Sequence, residues 1–114
     1  MEKEQKRELI ANYKQQKTTG GVYEIRNLQT GKRFLKADIN LEAAQNRFDF
    51  SQKVNSCVQI KMREDWERFG GEAFAFAVLE EIELGAEESP RGFKDRLKKL
   101  EEHYKSLSAP ELLY

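Results

Sequence analysis

Gly21-Val22-Tyr23 is followed, eleven positions after the tyrosine, by Phe34-Leu35-Lys36, with Asn27-Leu28-Gln29-Thr30-Gly31-Lys32 between them. A phenol can donate or accept a proton, and the cations of Lys32, Arg33 and Lys36 could hold an anion such as a phosphate. Without the flanking glycine and the hairpin spacing, Tyr23 reads as an ordinary half-buried strand tyrosine. A second basic set, Arg91, Lys94, Arg96, Lys98 and Lys99, is interleaved with Glu87, Glu88, Asp95, Glu101 and Glu102. That mixture is the usual pattern of a solvated face. His103 is the only histidine, hence the one side chain whose ordinary titration falls near neutrality, and it reads as a surface or helix-packing residue. Cys57 is the only cysteine, so neither an intramolecular disulfide nor a Cys/His zinc cluster can form.

Several elements must position these groups. Residues 2–17 carry helix formers with Leu9, Ile10 and Tyr13 on one side, and Thr18-Thr19-Gly20-Gly21 ends the run, which predicts a lead-in helix over 1–17. Val22, Glu24 and Arg26 alternate with Tyr23, Ile25 and Asn27, and Thr30-Gly31 supplies turn chemistry, which predicts hairpin strands over 21–27 and 32–37. Asn40 is a good cap for a helix from Leu41 to Gln52, where Leu41, Ala44 and Phe48 share a face. A further helix is predicted from Ser56 to Phe69, with Val58, Met62 and Trp66 four apart and Gly70 as its stop.

Over 73–82, Phe74, Phe76 and Val78 alternate with Ala75, Ala77 and Leu79, which predicts a two-faced strand set between helices. Ser89-Pro90 is a cap followed by a first-turn proline, opening an amphipathic helix with Phe93, Leu97, Leu100, Tyr104 and Leu107 on its apolar side. Residues 108–114 read as a short tail. The expected fold class is α+β, one domain over 1–114 with its core in 18–107, built on a three-stranded antiparallel sheet flanked by helices. Trp66 and Phe76 fall on the apolar repeats and are expected in the core.

With 114 residues the chain suits one hydrophobic core. Twenty basic and twenty acidic residues cancel, so any nucleic-acid contact must come from a local patch rather than from net charge. The longest apolar run, Ala73 to Leu79, is too short to span a bilayer, and the expectation is a cytoplasmic protein without membrane contact. No glycine-rich phosphate loop, nucleophile–base pair or metal cluster supports a small-molecule enzyme.

The hairpin motifs, followed in order by Asp65-Trp66, Gly70-Gly71 and Phe74-Ala75-Phe76-Ala77-Val78-Leu79-Glu80-Glu81, resemble the GIY-YIG nuclease family over about residues 3–107, in particular its small bacterial members. The resemblance implies a site for phosphodiester hydrolysis in which hairpin tyrosines manage protons, a helix arginine faces the phosphate and a glutamate on the late helix holds a divalent metal ion. Tyr23 matches the first tyrosine. The arginine position falls on Ala44, and Arg47, three residues on in an Asn46-Arg47 pair, is either its replacement or a solvent-exposed helix arginine. The metal-binding glutamate matches Glu101, with Glu102 as the alternative register. Magnesium or manganese is the cofactor implied for an active enzyme, and none otherwise.

Departures from the family pattern are several. Phe34 lacks the second hydroxyl, Lys36 stands at a glycine, Ala44 carries no charge, and Cys57 and Gln59 stand where relatives have histidine and asparagine. The family's closing Gly-Tyr-Asn has no counterpart in Leu107 to Tyr114. Two readings follow. One is a degenerate nuclease-like module that binds nucleic acid or a protein partner with weak or absent hydrolysis. The other is an active metal-dependent DNA endonuclease using Tyr23, Arg47 or Lys36, and Glu101. Lys32, Lys36 and Arg47 are the candidate nucleic-acid contacts in either case.

Overall fold

The computed structural model describes residues 19–57 and 59–114. The lead-in helix expected over 1–17 lies outside the described residues, as does Val58. Three strands, β1 (Thr19–Asn27), β2 (Arg33–Asp38) and β3 (Phe74–Glu83), form one antiparallel sheet in the order β2-β1-β3. Three helices, α1 (Leu41–Val54), α2 (Ile60–Phe69) and α3 (Pro90–Ser106), cover it. The α+β class and the antiparallel sheet expected from the sequence are therefore present.

The sheet separates two apolar layers because its side chains alternate. Tyr23, Ile25 and Phe34 join Leu41, Ala44 and Phe48 of α1, Met62 and Trp66 of α2, and Phe74 in one buried cluster. Within it Tyr23 stacks on Phe76 at 4.8 Å between centroids, and Trp66 stacks on Phe74 at 4.9 Å. Val22 and Leu35 point the other way, and α3 packs on β1 and β2 with Phe93 and Leu97 buried. Trp66 is core as expected, and Phe76 is half-buried against the same cluster.

The first glycine of the hairpin motif has a steric cause. At Gly21 a Cβ would lie 2.0 Å from the carbonyl oxygen of Glu80, because β1 and β3 draw together where their register shifts between Val22 and Tyr23. That irregularity lets Val22 pair with Glu80 while Tyr23 pairs with Val78.

The start of α1 is set by a relay of short side chains. Asp38 Oδ1 accepts the Asn40 N–H at 2.9 Å, and Asn40 Oδ1 accepts the Ala43 N–H at 2.9 Å. Ser89 caps α3 by accepting the Gly92 N–H at 3.0 Å. The second helix begins at Ile60 rather than Ser56, with Gln59 as an extended cap residue that makes no side-chain bond.

Three further sequence expectations need correction. β3 is an edge strand rather than a strand enclosed by helices, and Val78, on the face away from the α3 contacts at Glu80 and Glu83, is 46% exposed. Leu107 closes α3 but is 68% exposed, lying past the end of the sheet surface. Residues 108–114 are docked. Leu113 bridges Arg33 in parallel, the Tyr114 N–H donates to Arg33 O at 3.0 Å, and the Tyr114 hydroxyl donates to Asp65 Oδ2 at 2.7 Å while accepting from Asn27 Nδ2 at 3.0 Å. Asn27, fully buried, spends its Oδ1 on the N–H groups of Gln29 and Thr30 and so ties the hairpin turn to this segment. Among the described residues no helix is long and apolar enough to cross a membrane.

Candidate functional site

Tyr23 and Lys36 are direct cross-strand partners, and Phe34 pairs with Ile25 one step along the same face. Phe34, which the resemblance matched to a second tyrosine, is thus a buried ring next to Tyr23, and Lys36 stands opposite Tyr23 itself. Directly opposed residues bring their Cβ atoms to about 4.5–5.5 Å. Tyr23 is 4% exposed. Burial, helped by the nearby Asp38 carboxylate and to a smaller extent Glu101, pushes its hydroxyl above the usual phenol range, while Arg47 pulls partly back. The phenol is a held proton rather than a ready base.

Arg47 reaches this point from the exposed side of α1. Ala44, which the resemblance matched to an arginine, is buried one turn earlier and supports the helix against the sheet, so it is a packing position in this chain. The Arg47 guanidinium lies close enough to bear on Tyr23, but NH2 is paired with Asp38 Oδ2 at 2.9 Å. Asp38 therefore does two jobs, shaping the turn into α1 with one oxygen and neutralising Arg47 with the other.

Glu101 arrives from the opposite layer on α3. Its Oε1 accepts the outward Ala37 N–H of β2 at 2.7 Å, and its Oε2 accepts from Lys105 Nζ at 2.9 Å. Burial alone would raise this carboxyl. The hydrogen bonds from Lys105 and Ala37, with the charges of Lys105 and Lys36, outweigh that and hold it below its ordinary value. Glu102 is exposed on the next position of the helix and makes no such contact with β2. His103 is exposed too, its ring edge-on to Tyr104.

The structure therefore brings Tyr23 and Arg47 into one small pocket and Lys36 and Glu101 into a separate groove, with the pair of Arg47 and Asp38 joining them. Lys32 joins neither, since it lies four residues back from Lys36, about 13 Å along an extended chain. Its ammonium sits 5.5 Å over the Tyr114 ring. Cys57 and Gln59 line a small pocket with Tyr23 and Arg47, and the Cys57 thiol is pushed up by burial while it donates to Gln59 O at 3.2 Å. Asp38 and Lys105 are the functional neighbours that sequence reasoning missed. Lys105 had a local signal, four residues after Glu101 on a helix, whereas Asp38 had none beyond its place before a cap.

Magnesium keeps several of its waters and is usually held by one or two carboxylates, so an uncompensated carboxylate is the least the chain must offer. Among the described residues no three His, Cys, Asp or Glu side chains stand together in a way that could hold a metal ion. Glu101 offers one carboxylate whose two oxygens already have partners inside the chain, and two ammonium groups bear on it. With Lys105 bonded to it and Lys36 nearby, this carboxylate is charge-compensated within the chain, and as arranged the site is a poor fit for a divalent cation.

No protein-family model and no curated protein matches this sequence. Solved structures do match in fold. The catalytic domain of homing endonuclease I-TevI superposes with a TM-score of 0.62 at 23% identity, covering 83% of this chain and 95% of that one. A single-residue mutant of the catalytic domain of intron endonuclease I-TevI gives 0.61 at 21% identity, covering 84% of this chain and 91% of that one.

Proposed function

We propose that this chain, which has the fold of a GIY-YIG nuclease catalytic domain, is a nucleic-acid-binding module in which phosphodiester hydrolysis is weak or absent. One observation carries the reading: the charged groups that the reaction would draw on are neutralised within the chain. Arg47 is paired with Asp38 and Glu101 with Lys105, each at 2.9 Å.

Hydrolysis needs a group to take a proton from water, a cation to face the charge developing on the phosphoryl oxygens, and help for the leaving oxygen. Tyr23 holds its proton above the usual phenol range, and Phe34 supplies no second hydroxyl to share the transfer. A phosphate-facing arginine contributes about three to five orders of magnitude in related phosphoryl transfer. Arg47 keeps other N–H donors, but its charge is partly offset by Asp38, which lowers what it can contribute. Binding makes smaller demands, since an exposed cation can meet a phosphate without reaching transition-state geometry.

The nearness of Arg47 to Tyr23 in one small pocket supports the second reading, an active endonuclease, but Glu101 lines a separate groove, and the two ion pairs and the poor fit for magnesium or manganese weigh against it. A mobility-shift experiment with end-labelled DNA at low salt in the presence of magnesium tests the choice. The proposed reading expects a shifted band that weakens as salt rises, with full-length DNA recovered from it. Fragments in the recovered DNA would favour the endonuclease, and the absence of any shift would leave a protein as the partner.

A further inference from the structure

The Glu101 carboxylate lies on one wall of an open groove of about 480 Å³ between the end of β2 and α3, which is also lined by Lys36, Asp38, Lys94 and Lys98. Lys94, Lys98, Glu101 and Lys105 follow one another at helical spacings of four, three and four, so α3 turns a single charged stripe along this groove. Lys36, Lys94 and Lys98 are exposed, and none has an ion-pair partner among the described residues. The two acids of the groove are already engaged, Asp38 by Arg47 and Glu101 by Lys105. What the groove offers an incoming group is therefore positive charge, although the chain as a whole is neutral.

We propose that this groove holds nucleic-acid phosphates without a divalent cation: Lys36, Lys94 and Lys98 supply the charge, and Lys105 occupies Glu101 in the manner of a built-in counter-ion. Three ammonium groups on two elements suit a run of backbone phosphates better than one isolated anion. The Glu101 carboxylate, its oxygens taken by Lys105 and by the Ala37 N–H, serves to fasten α3 to the β2 edge and keep the lysine stripe facing the strand. Binding is then set by counter-ion release from the phosphates and falls with salt, while chelation of divalent metal leaves it unchanged. The proposal rests on the nucleic-acid-binding reading and adds the contact residues and the independence from metal.

The test uses the full chain, a fluorescently labelled mixed-sequence DNA oligonucleotide, and Mn²⁺ followed by electron paramagnetic resonance. EDTA should leave the Kd unchanged, and each of Lys36→Ala, Lys94→Ala and Lys98→Ala should weaken binding and lower the salt slope by about one. Lys99→Ala, on the side of α3 that faces Glu80 and Ile82, should leave both unchanged. Wild-type protein should leave the free Mn²⁺ signal undiminished, and Lys105→Met, which releases Glu101 Oε2, should reduce it. DNA binding that collapses in EDTA, or Mn²⁺ uptake by the wild type that Glu101→Gln abolishes, would overturn the proposal while leaving nucleic-acid binding intact. A Lys105→Met protein that takes up no more Mn²⁺ than the wild type would remove Lys105 from this role. Absence of DNA binding under every condition would instead overturn the underlying reading.

Discussion

Two side chains, Glu101 and Tyr114, tie α3 and the C-terminal segment to opposite ends of the β2 edge, and each carries a pH signature. Glu101 titrates below its ordinary 4.5 in the folded chain, so its contribution to stability is present above that value and is lost as pH falls through the lower folded value. Lys105→Met should bring the carboxyl up and flatten this part of the acid limb, which denaturation midpoints taken from neutral pH downward would show. Tyr114 behaves in the opposite sense. Burial, together with the bond to Asp65, pushes its hydroxyl up to about 12 from 10.0, so its contribution is complete below pH 10.0 and is lost as pH rises toward 12. Tyr114→Phe keeps the ring against Phe74 but loses both hydroxyl hydrogen bonds. The expected cost is about 1–3 kcal/mol near neutrality, with a shallower alkaline limb than the wild type, measurable by chemical denaturation across that range.

At the scale of elements, the close approach of β1 to β3 sets the position of Tyr23. Gly21→Ala should cost about 3 kcal/mol or more, since the new methyl meets the Glu80 carbonyl and the two strands must part. A thermal midpoint indistinguishable from the wild type would show that the sheet opens freely there. Trp66→Ala should cost about 3–5 kcal/mol, because the indole is 3% exposed and stacks on Phe74. A change within measurement error in chemical denaturation would place that ring outside the core.

Elements whose signals are local were legible in the sequence. Thr30-Gly31 gave the hairpin, Asn40 the start of α1, Ser89-Pro90 the start of α3 and Gly70 the end of α2, each through backbone chemistry within a few residues. The docking of Tyr114 was not legible, because its partners Asn27 and Asp65 lie 87 and 49 positions away. The exposure of Val78 was missed for a related reason. Alternation along a strand reports a face but not whether a helix covers it. In the site, Tyr23, Arg47 and Glu101 were singled out by the family resemblance, whereas the pairing of Arg47 with Asp38 depends on how α1 leaves the sheet.

The whole molecule joins a nuclease fold to a site whose ion pairs close on themselves. α1 and its Arg47 stand on one side of the sheet, α3 and its Glu101 on the other, and the β2 edge between them carries Lys36 opposite Tyr23. The most direct test is single-turnover cleavage, with protein in excess over end-labelled DNA and with magnesium or manganese present, comparing the wild type with Tyr23→Phe and Glu101→Ala. The predicted result is a wild-type rate no higher than that of either variant or of metal alone, with the DNA bound but intact. Robust metal-dependent cleavage by the wild type that both variants lose would contradict the account and show that the site acts on the phosphodiester despite its internal ion pairs.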